Sequence, residues 1–255
     1  MRTFFVQLFR ELRSIFHTPV AYVVITLFAA LMGFSFQGCI NDINQRAVPY
    51  TLVEITFVNE IFVFAFAFIV ALITMRSFSE EFRLGTVEML MTAPVKDWHV
   101  VLAKFFGATI FFAFMLLPTA ACFWVFEIVS HGAPVAKSMG ALVSAYLLLM
   151  MLGMFFISIG VFASSLVRDQ INAAVITLVA TMLYIFIPLI VSRMLQNVTD
   201  TRVAQVWEYF SPISHLLDFC RGLVDTRRIV WYLSATSFFV FLTHHVFHSR
   251  KLKAA

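Results

Sequence analysis

Charged side chains are scarce in this sequence. Only 13% of its 255 residues are Asp, Glu, Lys or Arg, whereas 61% are hydrophobic. A soluble domain carries about 25% charged residues, and one of this length could not bury so much apolar surface. The composition therefore excludes an ordinary soluble fold. It predicts an all-α membrane protein, because an unclosed strand would leave backbone groups unpaired in lipid.

The residue patterns of several enzyme classes are also missing. None of the nine glycines precedes a lysine, so the phosphate-binding loop of many nucleotide-binding proteins is absent. No histidine is followed by glutamate, which argues against a zinc protease, and Ser35 lacks the second glycine of a serine hydrolase elbow. The three cysteines share no metal-ligand spacing. We therefore expect no catalytic residue, metal or cofactor in this chain.

Six stretches are long and apolar enough to span a bilayer, which needs about 20 residues. They cover residues 20–40, 57–75, 101–125, 141–163, 171–191 and 229–247. We interpret the chain as a single transmembrane domain over residues 1–255. Pro118 and Pro188 lie inside the third and fifth stretches, where a proline is expected to kink the helix.

Small residues recur in the fourth stretch. They are Gly153, Gly160 and Ser164. Because small side chains let two helix backbones come close together, this pattern predicts tight contact with another span. We take it as a packing signal rather than a functional one.

The distribution of Lys and Arg indicates the orientation, since cytoplasmic segments hold the excess of positive charge. With both termini inside, the cytoplasmic segments contain eleven Lys and Arg and the outer segments contain seven. Five of those seven lie in one long loop, residues 192–228, together with four carboxylates. The count predicts cytoplasmic termini and a cytoplasmic segment at residues 76–104.

Residues 1–18 predict an amphipathic helix. One face is apolar and the other carries Gln7, Arg10, Glu11 and Ser14. This pattern has the 3.6-residue period of a helix with one polar, solvent-facing side. Such a helix is expected to lie flat on the inner leaflet. Pro19 then suits the first turn of the first span.

The segment at residues 76–104 is dense in charge and has the pattern of two short helices. Ser77 and Glu80 have the spacing of a capping box, Gly85 can change the chain direction, Thr86 can cap a second helix, and Pro94 can end it. The alternative is a solvated loop that only links two spans. The pattern itself predicts a protruding helix-turn-helix suited to docking in the cleft of a partner.

This segment resembles the cytoplasmic coupling segment of ABC type-2 exporter permeases. That segment usually has two acidic residues, a basic residue, Gly-Thr, an acidic residue and Leu-x-Thr-x-Pro-Val. The matching residues are Glu80, Glu81, Arg83, Gly85, Thr86, Glu88, Leu90, Thr92, Pro94 and Val95. Many relatives carry a basic residue beside the acidic pair, where this chain has Phe82.

Two further stretches resemble the branch of this family that includes gliding-motility and nitrous-oxide-reductase maturation permeases. They are residues 16–22, before the first span, and residues 210–225 with 231–233, before the last span. With the six spans in matching order, the resemblance covers essentially the whole chain.

The resemblance implies a permease subunit of a bacterial inner-membrane exporter that contains no ATPase of its own. ATP and Mg²⁺ would be bound by a separate ABC ATPase subunit docked on Glu80, Glu81, Arg83, Gly85, Thr86, Glu88, Leu90 and Pro94. The permease would act as a homodimer or heterodimer, surrounded by lipid and with a periplasmic or membrane accessory protein as a further candidate partner. No nucleic-acid partner is expected.

The loop at residues 192–228 is predicted to contain short re-entrant helices, because it is too apolar for a free loop and too short to span. Its apolar positions are Ile213, Leu216, Leu217 and Phe219. They would form either an outer gate or an anchoring hairpin without a gating role.

Two other functions compete with the exporter subunit. One is a membrane anchor or mechanotransmitting subunit that uses ATPase strokes to act on envelope proteins without transporting anything. The other is a stand-alone secondary transporter or channel, which is weaker because the spans lack the charged mid-membrane groups and paired broken helices of that class.

Overall fold

The computed structural model describes residues 2–45, 51–86, 96–129, 139–195, 207 and 209–254. Within these residues every regular element is an α-helix. Numbered in chain order, the helices are α1 Arg2–His17, α2 Pro19–Gln45, α3 Leu52–Val58, α4 Glu60–Thr74, α5 Ser79–Leu84, α6 Asp97–Val129, α7 Met139–Leu166, α8 Gln170–Leu195, α9 Pro212–Cys220 and α10 Thr226–Ala254.

Six stretches in the described residues have the length and composition of membrane spans. They are Pro19–Asn41, Ile61–Leu84, Asp97–Phe126, Met139–Leu166, Gln170–Met194 and Thr226–Lys251. They coincide in order and approximate position with the six stretches predicted from the sequence. The prediction of an all-helical, multi-pass membrane protein is therefore confirmed.

Helices α6 and α7 form the centre of the bundle. In the most apolar parts of their spans, 67% and 61% of the residues are buried inside the protein. The corresponding share is 28% for α2 and 22% for both α8 and α10. The three outer helices therefore keep most of their apolar surface for lipid or for another chain.

The second span differs from its prediction, because the chain breaks at Asn59. Helix α3 ends at Val58, α4 begins at Glu60, and Asn59 between them is extended with φ −61° and ψ 138°. The Asn59 side chain accepts a hydrogen bond from the Ile61 N–H at 2.9 Å, which caps the new helix as asparagine commonly does. The predicted start of this span at residue 57 is corrected accordingly.

Helix α7 makes the close contacts that its small residues predict. A Cβ atom placed on Gly160 would lie 2.1 Å from Thr74 Oγ1, and one on Gly153 would lie 2.3 Å from Phe112 Cε1. Distances this short leave no room for a side chain, so α7 touches both α4 and α6 at these glycines. Pro118 and Pro188 lie inside α6 and α8 as expected, and neither ends its helix.

Helix α1 runs side by side with the first half of α6. Thr3 lies against His99, Glu11 against Lys104, and the Phe16 ring packs edge-on against Phe111. The helix expected at residues 1–18 is present. Its flat position on the inner leaflet stays a prediction.

The polar face of α1 does not simply face water. Gln7 is only 9% exposed and Glu11 binds Lys104, whereas Phe5 and Phe9 on the apolar face are 53% and 69% exposed. Arg10 and Ser14 of the same polar face are exposed, so α1 turns only part of that face toward the protein, while the exposed Phe5 and Phe9 offer a surface for lipid.

Candidate functional site

Helix α5 is the described part of the segment predicted to bind a partner. It is six residues long, and Gly85 after it has φ +70°, the left-handed conformation that glycine adopts most readily. The chain therefore changes direction where the sequence predicts a turn. Residues 87–95 lie outside the described residues, so the expected second helix with Glu88, Leu90 and Pro94 stays a prediction.

The beginning of α5 differs from the predicted capping box of Ser77 and Glu80. The helix begins at Ser79, and Phe78 occupies the cap position without a side-chain hydrogen bond. Instead, Ser164 at the end of α7 accepts hydrogen bonds from the N–H groups of Phe78 at 2.9 Å and Ser79 at 3.1 Å. A serine from another span thus accepts from two backbone N–H groups at the start of α5, where a helix has no partners of its own for its first donors. This attaches α5 to the centre of the bundle.

Lys104 of α6 joins two carboxylates from distant parts of the chain. Its Nζ lies 2.7 Å from Glu81 Oε1 in α5 and 3.3 Å from Glu11 Oε1 in α1. The Lys104 side chain is 3% exposed, and its ammonium also lies 5.1 Å from the centre of the Phe78 ring. We call Glu11, Glu81 and Lys104 the Lys104 cluster.

Burying a charged ammonium is unfavourable unless it is paired. In the Lys104 cluster two carboxylates and an aromatic face surround the buried ammonium and compensate for the water that it loses. Because its partners belong to α1 and α5, the cluster fixes both short helices to α6.

Helix α10 covers the other side of α5. The Phe78 ring packs against Phe247 with centroids 5.6 Å apart, and the Arg250 guanidinium lies 4.5 Å from the centre of the Phe82 ring. The resemblance to ABC type-2 permeases leads to the expectation of a basic residue at position 82, where this chain has Phe82. Here the basic residue comes from α10 instead, and its guanidinium lies over the Phe82 ring in a favourable cation–π arrangement.

Several of the predicted docking residues remain on the surface. Arg83, Gly85 and Thr86 are exposed, while Glu80 is half-buried. Glu81, by contrast, points into the protein toward Lys104. The structure gives Glu81 an internal role that the sequence pattern did not indicate.

At the opposite end of α7 lies a second short helix, α9. Ser144 of α7 donates a hydrogen bond to the Phe219 carbonyl at 2.6 Å, and Arg221 binds Glu54 of α3 at 2.9 Å. We call this side of the bundle the Arg221 end and the side with α5 the Lys104 end.

Among the predicted gate residues, Leu216 and Phe219 are buried at 3% and 0% exposure. Ile213 and Leu217 are half-buried.

His215 anchors α9 to the last span. Its Nε2 lies 2.7 Å from the Tyr209 carbonyl and its Nδ1 lies 2.9 Å from the Tyr232 hydroxyl. A carbonyl can only accept, so Nε2 carries the proton and Nδ1 accepts from the tyrosine. Burial lowers the pKa of His215 from 6.5 to about 4, because the charged form would lose its water. The imidazole is therefore neutral at pH 7.

One known protein family matches nearly the whole chain. The sequence pattern of the ABC-2 family transporter proteins matches residues 16–254. The chain belongs to the ABC-2 transporter family. The match includes all six spans and the short helices α5 and α9 at the two ends of α7, in agreement with the resemblance found in the sequence. A search of the curated proteins finds no match.

Membership of the ABC-2 family makes the chain a permease component of an ABC transporter. Membrane subunits of this family typically work with an ABC ATPase and are generally not catalytic themselves. The specific branch, with gliding-motility and nitrous-oxide-reductase maturation permeases, stays a prediction.

Sequence reasoning missed three residues that organise the Lys104 end of this ABC-2 permease. Glu11 was assigned only to a polar helix face, Lys104 only to a charge count, and Ser164 only to close packing. Lys104 carried a usable signal, since a lysine among apolar residues of a span almost always has a partner. Which partner it has depends on contacts between residues far apart in the chain.

Proposed function

We propose that this chain is the membrane-spanning subunit of an exporter driven by a separate ABC ATPase that docks at the Lys104 end. ATP and Mg²⁺ would be bound entirely by that partner. The observation that carries the proposal is the attachment of α5, which contains the exposed Arg83, to α6, α7 and α10 directly and to α1 through Lys104. A force applied to α5 would reach α1, α6, α7 and α10 through short polar and aromatic contacts.

The membrane arrangement follows the charge distribution. Eleven Lys and Arg against seven favour cytoplasmic termini, and the resemblance to bacterial exporter permeases favours the inner membrane. The Lys104 end would then face the ATPase in the cytoplasm, and α9 would face outward, where Leu216 and Phe219 are candidate elements of an outer gate. The poorly buried α2, α8 and α10 offer surface for a second permease copy, and substrate would pass between the two.

Two glycines provide a matched test. Gly85 after α5 and Gly222 after α9 have φ +70° and +82°. Valine at either position would therefore strain the backbone to a similar extent, at a cost of about 1–3 kcal/mol in stability. Neither glycine has a crowded Cβ position. The two variants differ mainly in the end of the molecule that they disturb.

We expect Gly85→Val to misdirect the segment after α5 and to reduce both the ATPase that co-purifies and the substrate-stimulated hydrolysis. Gly222→Val should retain wild-type amounts of bound ATPase. Both variants are expressed with the partner ATPase, checked for membrane insertion and purified in mild detergent. Equal ATPase recovery from the two variants would mean that the segment is only a linker, and the proposal would be wrong.

A further inference from the structure

A large cavity opens at the Lys104 end between α1, α2, α4, α5 and α6. Its volume is about 1070 Å³, at the upper limit of the roughly 300–1,000 Å³ of small-molecule sites. The charged residues among the described lining residues are three cations and three carboxylates, so their charges balance. They are Arg10, Arg76, Lys104, Glu11, Glu80 and Glu81.

Three polar atoms on the lining side chains are buried and have no hydrogen-bond partner in the described chain. They are Arg76 Nε, which is a donor, and Gln7 Oε1 and Glu81 Oε2, which are acceptors. Gln7 as a whole is 9% exposed. Buried polar groups are almost always paired, so these atoms indicate a ligand with an acceptor group for Arg76 and a donor group for the two oxygens.

The cavity becomes apolar toward the middle of the membrane. Phe111 lies seven residues beyond Lys104 in α6, and Val24 lies five residues beyond the start of α2. Leu72 and Ile73 of α4 complete this wall. A polar head at the Lys104 end and an apolar tail along these side chains would satisfy both parts of the cavity.

We propose that this cavity binds one phospholipid whose zwitterionic head carries N–H donors, of the phosphatidylethanolamine class. The phosphate oxygens accept from Arg76, the ammonium donates to Glu81 and Gln7, and the acyl chains lie against Phe111, Val24 and Leu72. Glu81 also binds Lys104, so the lipid head becomes part of the contact between α5 and α6. This inference does not depend on an ATPase partner.

The same chemistry distinguishes this lipid from two common alternatives. Phosphatidylcholine has the same charges but no N–H group, so it cannot donate to the orphaned oxygens. Phosphatidylglycerol has the phosphate but no ammonium, and it adds a net negative charge beside Glu80 and Glu81. The cavity should therefore prefer phosphatidylethanolamine to both.

The test measures bound lipid by native mass spectrometry on the purified, delipidated chain in detergent. Phosphatidylethanolamine, phosphatidylcholine and phosphatidylglycerol with identical acyl chains are added separately and then in competition. We expect one tightly bound phosphatidylethanolamine, favoured about tenfold over each of the others, as for one hydrogen bond between charged groups.

Two variants locate the site, and each has a matched control. Gln7→Leu should reduce the preference for phosphatidylethanolamine over phosphatidylcholine, because only Glu81 is then left to accept from the ammonium, whereas Gln170→Leu, at the start of α8 and outside the cavity, should keep it. Arg76→Gln should weaken binding of all three lipids, whereas Arg193→Gln at the exposed end of α8 should not. Gln7→Leu replaces a buried polar group with an apolar one, so the folded chain remains testable even if Arg76→Gln is unstable.

Two results would overturn the proposal. Equal binding of the three lipids by the wild-type chain would show an unspecific lipid contact. Lipid binding and a preference for phosphatidylethanolamine that are unchanged in both Gln7→Leu and Arg76→Gln would place the lipid somewhere else on the molecule.

Discussion

Each end of α7 is hydrogen-bonded to a short helix, but a serine of α7 is the acceptor at one end and the donor at the other. Ser164 accepts hydrogen bonds from the first N–H groups of α5, whereas Ser144 donates one to a carbonyl near the end of α9. The two serines lie twenty residues apart, which is about 30 Å of helix and about the thickness of the hydrocarbon core. One span thus positions the short helices at both membrane faces.

The two ends also differ in how they use charge. At the Lys104 end a fully buried cation bridges two carboxylates. At the Arg221 end a half-exposed cation, 51% accessible, binds one buried carboxylate, Glu54. A buried pair depends on both partners much more strongly than an exposed one. The Lys104 cluster should therefore be more sensitive to mutation than the Arg221–Glu54 pair.

The largest expected effect is that of Lys104→Met. It leaves Glu11 and Glu81 without their shared cation and should lower the free energy of unfolding by about 3–5 kcal/mol. Arg221→Met, the counterpart at the other end, should cost about 1 kcal/mol, because Arg221 is half exposed and Glu54 keeps the Thr51 N–H. Denaturant unfolding in detergent micelles measures both. Equal losses would remove the proposed difference between the ends.

A smaller effect is expected from the two serines of α7. Ser164→Ala deprives two buried N–H groups of their acceptor and should cost about 1–3 kcal/mol. Ser144→Ala should cost about 0.5–1.5 kcal/mol, because the Phe219 carbonyl still accepts from the Gly222 N–H at 2.9 Å. Hydrogen–deuterium exchange should rise at residues 78–84 in the first variant and at residues 216–222 in the second. Faster exchange at both ends in either variant would contradict independent anchoring.

The smallest effect concerns pH and only the Arg221 end. The pKa of His215 is about 4 in the folded chain and 6.5 without the fold. Between these values the unfolded chain binds the extra proton, so stability falls as the pH decreases through this window. From pH 7 to pH 5.5 we expect a loss of about 1 kcal/mol.

The measurement is the unfolding midpoint of the wild-type chain and of His215→Gln at both pH values. The variant should be less stable at pH 7 but should lose less on acidification, because it lacks the titrating group. An identical pH dependence in the two proteins would assign the loss to other groups.

The spans could be predicted because hydropathy is a local property of the sequence. Residues 141–163, for example, contain only apolar and small side chains apart from Tyr146, and α7 covers them all. The break at Asn59 was missed although local signals were present. Thr51 and Glu54 have capping-box spacing and form that box in the structure, and Asn59 is a good cap for a second helix.

The contacts of the candidate site could not be predicted in the same way. Lys104 meets Glu11 across 93 residues and Glu81 across 23, and nothing local selects these two carboxylates from the others. Ser164 was correctly taken as a small residue that permits close packing. Its second role, capping α5, depends on the backbone of another span being brought to its hydroxyl.

The interruption at Asn59 determines how far a displacement of α5 would travel. From α5 the movement passes into α4, a continuous helix of fifteen residues, which is about 22 Å long. At Asn59 the helical hydrogen bonding stops, and α3 beyond it is bound through Glu54 to Arg221. Helix α4 would therefore act as a lever with a pivot at Asn59, since hinges form where a few residues at the ends of elements absorb the change in backbone angle. The chain beyond the pivot could remain in place while α5 moves.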